Sequence, residues 1–131
     1  MGVARIRFLG KDRNVQPWHK NDRLALKFNA DLARWDKKNE QFNKAFRENA
    51  EKSKTDKTYV PIEVDEEEYT NHLIASKDLP YQFLIDVLEL NATEIEKLDR
   101  VSDNDIMATA LKIRNELLEL TPVSEDKQAK K

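Results

Sequence analysis

From Val3 to Leu9 apolar and polar positions alternate, with Ala4, Ile6 and Phe8 on one side and Arg5 and Arg7 on the other. That period of two predicts a short strand. Gly10 to Asn21 reads as turn, punctuated by Gly10, Asp12, Asn14, Pro17 and Asn21. Leu24, Leu26 and Phe28 alternate again, and residues 23–28 are read as a second strand pairing with the first, although Leu24, Phe28 and Leu32 also fit a helical face. Asn29 then caps a helix from about Ala30 to Lys52, with Asp31 favourably placed in its first turn. Leu32, Trp35, Phe42 and Phe46 form its apolar stripe, which lapses at Asn39.

Ser53 to Asp65 breaks the pattern: a polar SKTDKT stretch leads into TYVPIEV, where Pro61 favours an extended segment. Asp65 caps the next helix, whose first turn holds Glu66, Glu67 and Glu68 and whose Tyr69 and Leu73 face inward. Asp78 and Pro80 start another helix, carrying Phe83, Leu84, Val87 and Leu88 and ended by Asn91. Thr93 with Glu96 forms a capping-box pattern ahead of Ile95 and Leu98. Ser102 with Asp105 opens a last helix that buries Ile106, Ala110, Ile113 and Leu117, and Pro122 stops it. The predicted fold is α+β and mostly α: a short N-terminal β-hairpin, one long charged helix and a C-terminal bundle of short helices. Residues 123–131 (VSEDKQAKK) are predicted to be a disordered tail.

Charge sharpens this division. Residues 1–60 hold 15 Lys/Arg against 8 Asp/Glu, and residues 61–120 hold 5 against 15, beneath a formal net charge of −2. A basic hairpin-plus-helix section (1–60) therefore precedes an acidic helical bundle (61–122), and at 131 residues the two are expected to share one structural domain. Cysteine is absent, so disulfides and thiolate metal sites are excluded. The opening MGVARIRFLGKDR has no apolar run suited to a signal peptide, and no segment approaches a membrane span, so a soluble, intracellular protein without membrane contact is expected. Ile6 stands where a myristoylation signal wants Ser or Thr.

Catalytic chemistry has little to work with. His19 reads as a loop residue, and His72 as a satisfied or exposed histidine, because neither Glu68 nor Ser76 completes a distinctive zinc motif. Glu66, Glu67 and Glu68 suit the helix macrodipole rather than a cleft with two opposed carboxylates. Asp103-Asn104-Asp105 superficially matches a calcium loop, but Ala108 occupies the position of its glycine. With Gly2 and Gly10 the only glycines, no phosphate-binding loop or nucleophile elbow exists. No catalytic residue, cofactor or metal is expected. A basic patch of Arg5, Arg7, Lys11, Arg13, Lys20 and Arg23, joined by Lys27 and interleaved with Trp18, supports an alternative as a nucleic-acid-binding regulator. A generic helical adaptor is a further alternative.

The block YQFLIDVLELNATEIEKLDRVSDNDIMATALKIRNELLEL, roughly forty residues, resembles the tail assembly chaperones of long-tailed bacteriophages. Phe83, Leu84, Val87, Leu88, Leu90, Ile95 and Leu98 occupy the places of that family's closing pattern. The resemblance implies a non-enzymatic protein of the host cytoplasm that binds the tape-measure protein, keeps it soluble while tail-tube subunits assemble, and is absent from the mature virion. The tail tube protein and further copies of the chain are additional expected partners. It also implies a longer, frameshifted form, with which Lys130-Lys131 is compatible. Trp35, Phe42 and Phe46 are the expected partner-binding ridge, the alternative being that they pack on the chain's own helices.

Overall fold

The computed structural model describes residues 2–120. Pro122 and the tail at 123–131, both singled out above, lie outside the described residues. Strands β1 (Ala4–Phe8) and β2 (Lys11–Val15) form an antiparallel hairpin. Leu9 and Gly10 both have positive φ, 52° and 80°, as a two-residue hairpin turn requires. The helices are α1 (His19–Thr55), α2 (Glu66–Leu88), α3 (Ala92–Leu98) and α4 (Asp103–Leu117). A mostly helical α+β chain with one long helix is the architecture expected, but four boundaries move.

The second strand is KDRNV, not residues 23–28, and Asn29 lies inside α1 rather than at its cap. The alternation at Leu24, Leu26 and Phe28 misled because only Phe28 of the three is buried, while Ala25 supplies the preceding core position. His19 accordingly opens a helix instead of sitting in a loop. The inward residues of α1 are Asn21, Ala25, Phe28, Leu32, Trp35, Asn39, Phe42, Phe46 and Asn49, separated alternately by three and four positions. This is the spacing of a helix seam facing a partner over many turns. Its three asparagines explain the lapse in the apolar stripe. Asn21 Nδ2 donates to the Gln16 carbonyl, Asn39 Oδ1 meets His72 Nε2, and Asn49 both donates to the Ile62 carbonyl and accepts from the Ile62 amide.

Helix α2 runs antiparallel to α1, since partners of Phe28, Trp35 and Phe42 occur in descending order at Phe83, His72 and Tyr69. Asp65 caps it as expected, accepting from the Glu67 and Glu68 amides. Pro80 does not start a new helix; it is buried within a continuous one. A helix-interior proline costs about 3 kcal/mol, which is offset here because residues on both sides of it pack on α1. Leu73 is 42% exposed rather than inward, and His72, 4% exposed, takes its place. The capping box expected at Thr93 and Glu96 sits two residues earlier: Asn91 and Glu94 exchange the two bonds. The left-handed Glu89 ends α2 there, leaving Asn91 extended and free to cap. Ser102 caps α4, and Ile106, Ala110, Ile113 and Leu117 are all buried, as the sequence predicts.

The core draws on both charged sections: Ala4, Ile6, Val15, Ala25 and Phe28 join Leu84, Val87, Leu98, Ile113 and Leu117. Beyond Phe42 no residue of α1 is buried; Phe46 still meets Tyr69 of α2, and the connector flanks the helix beyond it. Tyr59 donates its hydroxyl to Asn49 Oδ1, and Lys52 lies over the Tyr59 ring. Replacing Asn49 with Ala should accelerate amide exchange at Ile62 about tenfold without moving the melting temperature appreciably. Hydrogen-exchange mass spectrometry of the connector checks this; unchanged exchange at Ile62 would show the amide clamp to be inert.

Candidate functional site

Side by side, α1 and α2 leave a solvent-open channel along one flank of their seam. One part, of about 570 Å³, is lined by Leu24, Lys27, Phe28 and Asp31 from α1 and by Ile74, Ala75, Asp78, Leu79, Gln82 and Asp86 from α2, among others. A second part, of about 440 Å³, continues it past Arg34, Trp35, Lys38, Glu68 and His72. The two share Asp31, Asn71, Ala75 and Leu79, so they form one groove. Its floor is apolar. Phe28 and Phe83 stack with centroids 4.5 Å apart at one end, and Trp35 stacks on His72 at 4.3 Å at the other. Ile74 rises from the α2 wall 47% exposed, and the small Ala75 beside it opens the middle.

The sequence-predicted ridge is divided by this arrangement. Trp35 donates its indole N–H to the His72 carbonyl at 2.7 Å and presents part of its ring to the groove. Phe42 is buried against Tyr69 and His72. Phe46 meets Tyr69 edge-on but stays 38% exposed. All three thus engage α2, and only Trp35 also lines the groove. The sequence does not mark the remaining groove residues as one surface, because residues 23–28 read as a strand and Pro80 reads as the start of a separate helix. One signal was available: Leu73 and Ile74 are adjacent, so a single helix face cannot hide both.

The predicted basic patch is dispersed. Arg5, Arg7, Asp12 and Asn14 share the outer face of the hairpin, where Arg7 pairs with Asp12. Lys11 and Arg13 turn to the other face and converge on Glu94, at 3.2 and 2.5 Å. Lys20 pairs with Glu89. Arg23 is exposed on α1, and Trp18, at its N-terminal boundary, is 67% exposed. Among the described residues no cluster of three His, Cys, Asp or Glu side chains is arranged to hold a metal, and none of the helices is long and apolar enough to cross a membrane.

Glu94 and His72 are among the groups with displaced proton affinities. The Arg13 hydrogen bond, helped by the Asn91 amide and Lys11, holds the Glu94 carboxyl down to about 2 from 4.5. Burial, followed by the charge of Lys38, lowers His72 below its ordinary 6.5 and keeps the ring neutral in the fold. Comparison with protein-family models, curated proteins and solved structures finds no match to this chain.

His72 and Glu94 both stabilise the protein at neutral pH and lose that contribution in acid. His72 withdraws its share as pH falls below 6.5, where the unfolded chain takes up a proton that the folded ring resists. Glu94 withdraws its share between pH 4.5 and about 2. Melting curves across pH should therefore fall in two steps; His72→Phe removes the upper one and leaves the lower, Glu94→Gln does the reverse, and both steps persisting in either variant would contradict the assignment. Phe42→Ser should cost about 3 kcal/mol of stability and Phe46→Ser about 1 kcal/mol, as measured by urea unfolding.

Proposed function

We propose that this chain is a non-enzymatic tail assembly chaperone of a long-tailed bacteriophage. It binds the tape-measure protein in the host cytoplasm and keeps it soluble while the tail tube assembles, and it is absent from the finished virion. The observation that carries this reading is the open groove between α1 and α2, with its apolar floor and charged walls. Long helical proteins carry apolar stripes that associate wrongly when uncovered, and a groove between two helices covers such a stripe. The exposed charge around it keeps the complex in solution. The resemblance of residues 81–120 to the family's closing pattern supports the same reading, because its apolar residues build the α2–α3 part of the core.

The nucleic-acid reading has weaker support. Lys11, Arg13 and Lys20 of the six basic candidates are paired with Glu94 or Glu89, which leaves no continuous cationic strip for a phosphate backbone.

Co-expression with the tape-measure protein of the encoding phage tests the proposal. The wild-type chain should hold that protein in the soluble fraction and co-purify with it. Ala75→Arg, which fills the groove from an exposed helix wall, should return it to the pellet. A tape-measure protein equally insoluble with and without the chain removes the reading.

A further inference from the structure

The two walls of the groove carry opposite charge. On the α1 side stand Lys27, Arg34 and Lys38, with Asp31 between them bonded to both Lys27 and Arg34. On the α2 side stand Glu68, Asp78 and Asp86, and none of these three forms an ion pair among the described residues. Asp86 only accepts from the Gln82 amide. From Leu24 to Lys38 the groove runs for about 21 Å at a helical rise of 1.5 Å per residue, room for about four turns of a docked helix.

We propose that the groove receives one amphipathic helix of a partner protein, apolar stripe down, acidic flank along α1 and basic flank along α2. This rests on the reading of the groove as the binding surface. Because the walls differ in sign, a helix with one acidic and one basic flank fits in a single direction; reversed, it sets like against like on both sides. The groove thus reads the polarity of its partner as well as its apolar stripe.

The occupant is a different chain. No helix among the described residues exposes three large apolar side chains at helical spacing: α1 offers Leu26 and Phe46, and α2 offers the adjacent Leu73 and Ile74. A second copy therefore has no stripe to insert. Residues 121–131 (TPVSEDKQAKK) contain a single large apolar residue, Val123, and cannot supply one either.

Fluorescence anisotropy with three labelled synthetic helices tests this. All share a leucine stripe at i, i+3, i+4 and i+7; one has a Glu flank and a Lys flank, one has Glu on both and one has Lys on both. The mixed helix should bind about tenfold more tightly than either uniform one. Asp78→Lys combined with Asp86→Lys should transfer the preference to the all-Glu helix, with an unchanged circular-dichroism spectrum certifying the fold. Equal affinity for all three helices, or a preference untouched by the reversal, overturns the proposal. If Ala75→Arg abolishes peptide binding while the tape-measure protein stays soluble, the groove assignment fails and the chaperone reading stands. Peptide selectivity as expected, with no solubilisation, sustains the groove and sinks the chaperone reading alone.

Discussion

The seam between α1 and α2 is the constraint on which the other features depend. Its rings meet in order along two antiparallel helices: Phe28 on Phe83, Trp35 on His72, then Phe42 and Phe46 on Tyr69. The groove runs along one flank of this seam, lined by residues of both helices. The seven-residue interval between Phe28, Trp35 and Phe42 keeps one face of α1 turned to its partner over several turns, which an irregular stripe would not do.

The oppositely charged sections are fastened to each other at the far end of the fold. Lys11 and Arg13 reach Glu94, and Lys20 reaches Glu89, so the hairpin and the start of α1 are tied to the α2–α3 junction. Glu94 serves twice, completing the capping box of α3 through one oxygen and receiving the two cations through the other. Its carboxyl and the Arg13 guanidinium are both largely shielded, with side chains 12% and 10% exposed, which sets this pair apart from the solvated ones elsewhere.

Much of the fold was legible from local rules. Asp65 and Ser102 are caps because a short polar side chain precedes an apolar-periodic run, and both bonds form. The stripe of α4 was fully readable. The failures have a common cause, namely tertiary packing overruling a strong local signal. Pro80 normally marks a boundary, yet packing on α1 carries the helix through it. Leu24, Leu26 and Phe28 alternate like a strand, yet the buried residues are Ala25 and Phe28, at helical spacing. Asn39 interrupts an apolar stripe, yet it sits on the seam because His72 satisfies it. The groove was the least legible feature, since Ala75, Asp78 and Lys27 acquire a shared environment only once two helices distant in sequence lie together.

The three asparagines of α1 have a consequence of their own. They fix the helix against Gln16, His72 and Ile62 through bonds between neutral groups. Added electrolyte weakens attraction between exposed ions over distances near 10 Å but leaves such amide bonds almost untouched. The Asn39–His72 contact between the two long helices is accordingly insensitive to ionic strength, whereas anything held by the charged walls is not. A rise in salt can empty the groove without loosening the frame around it.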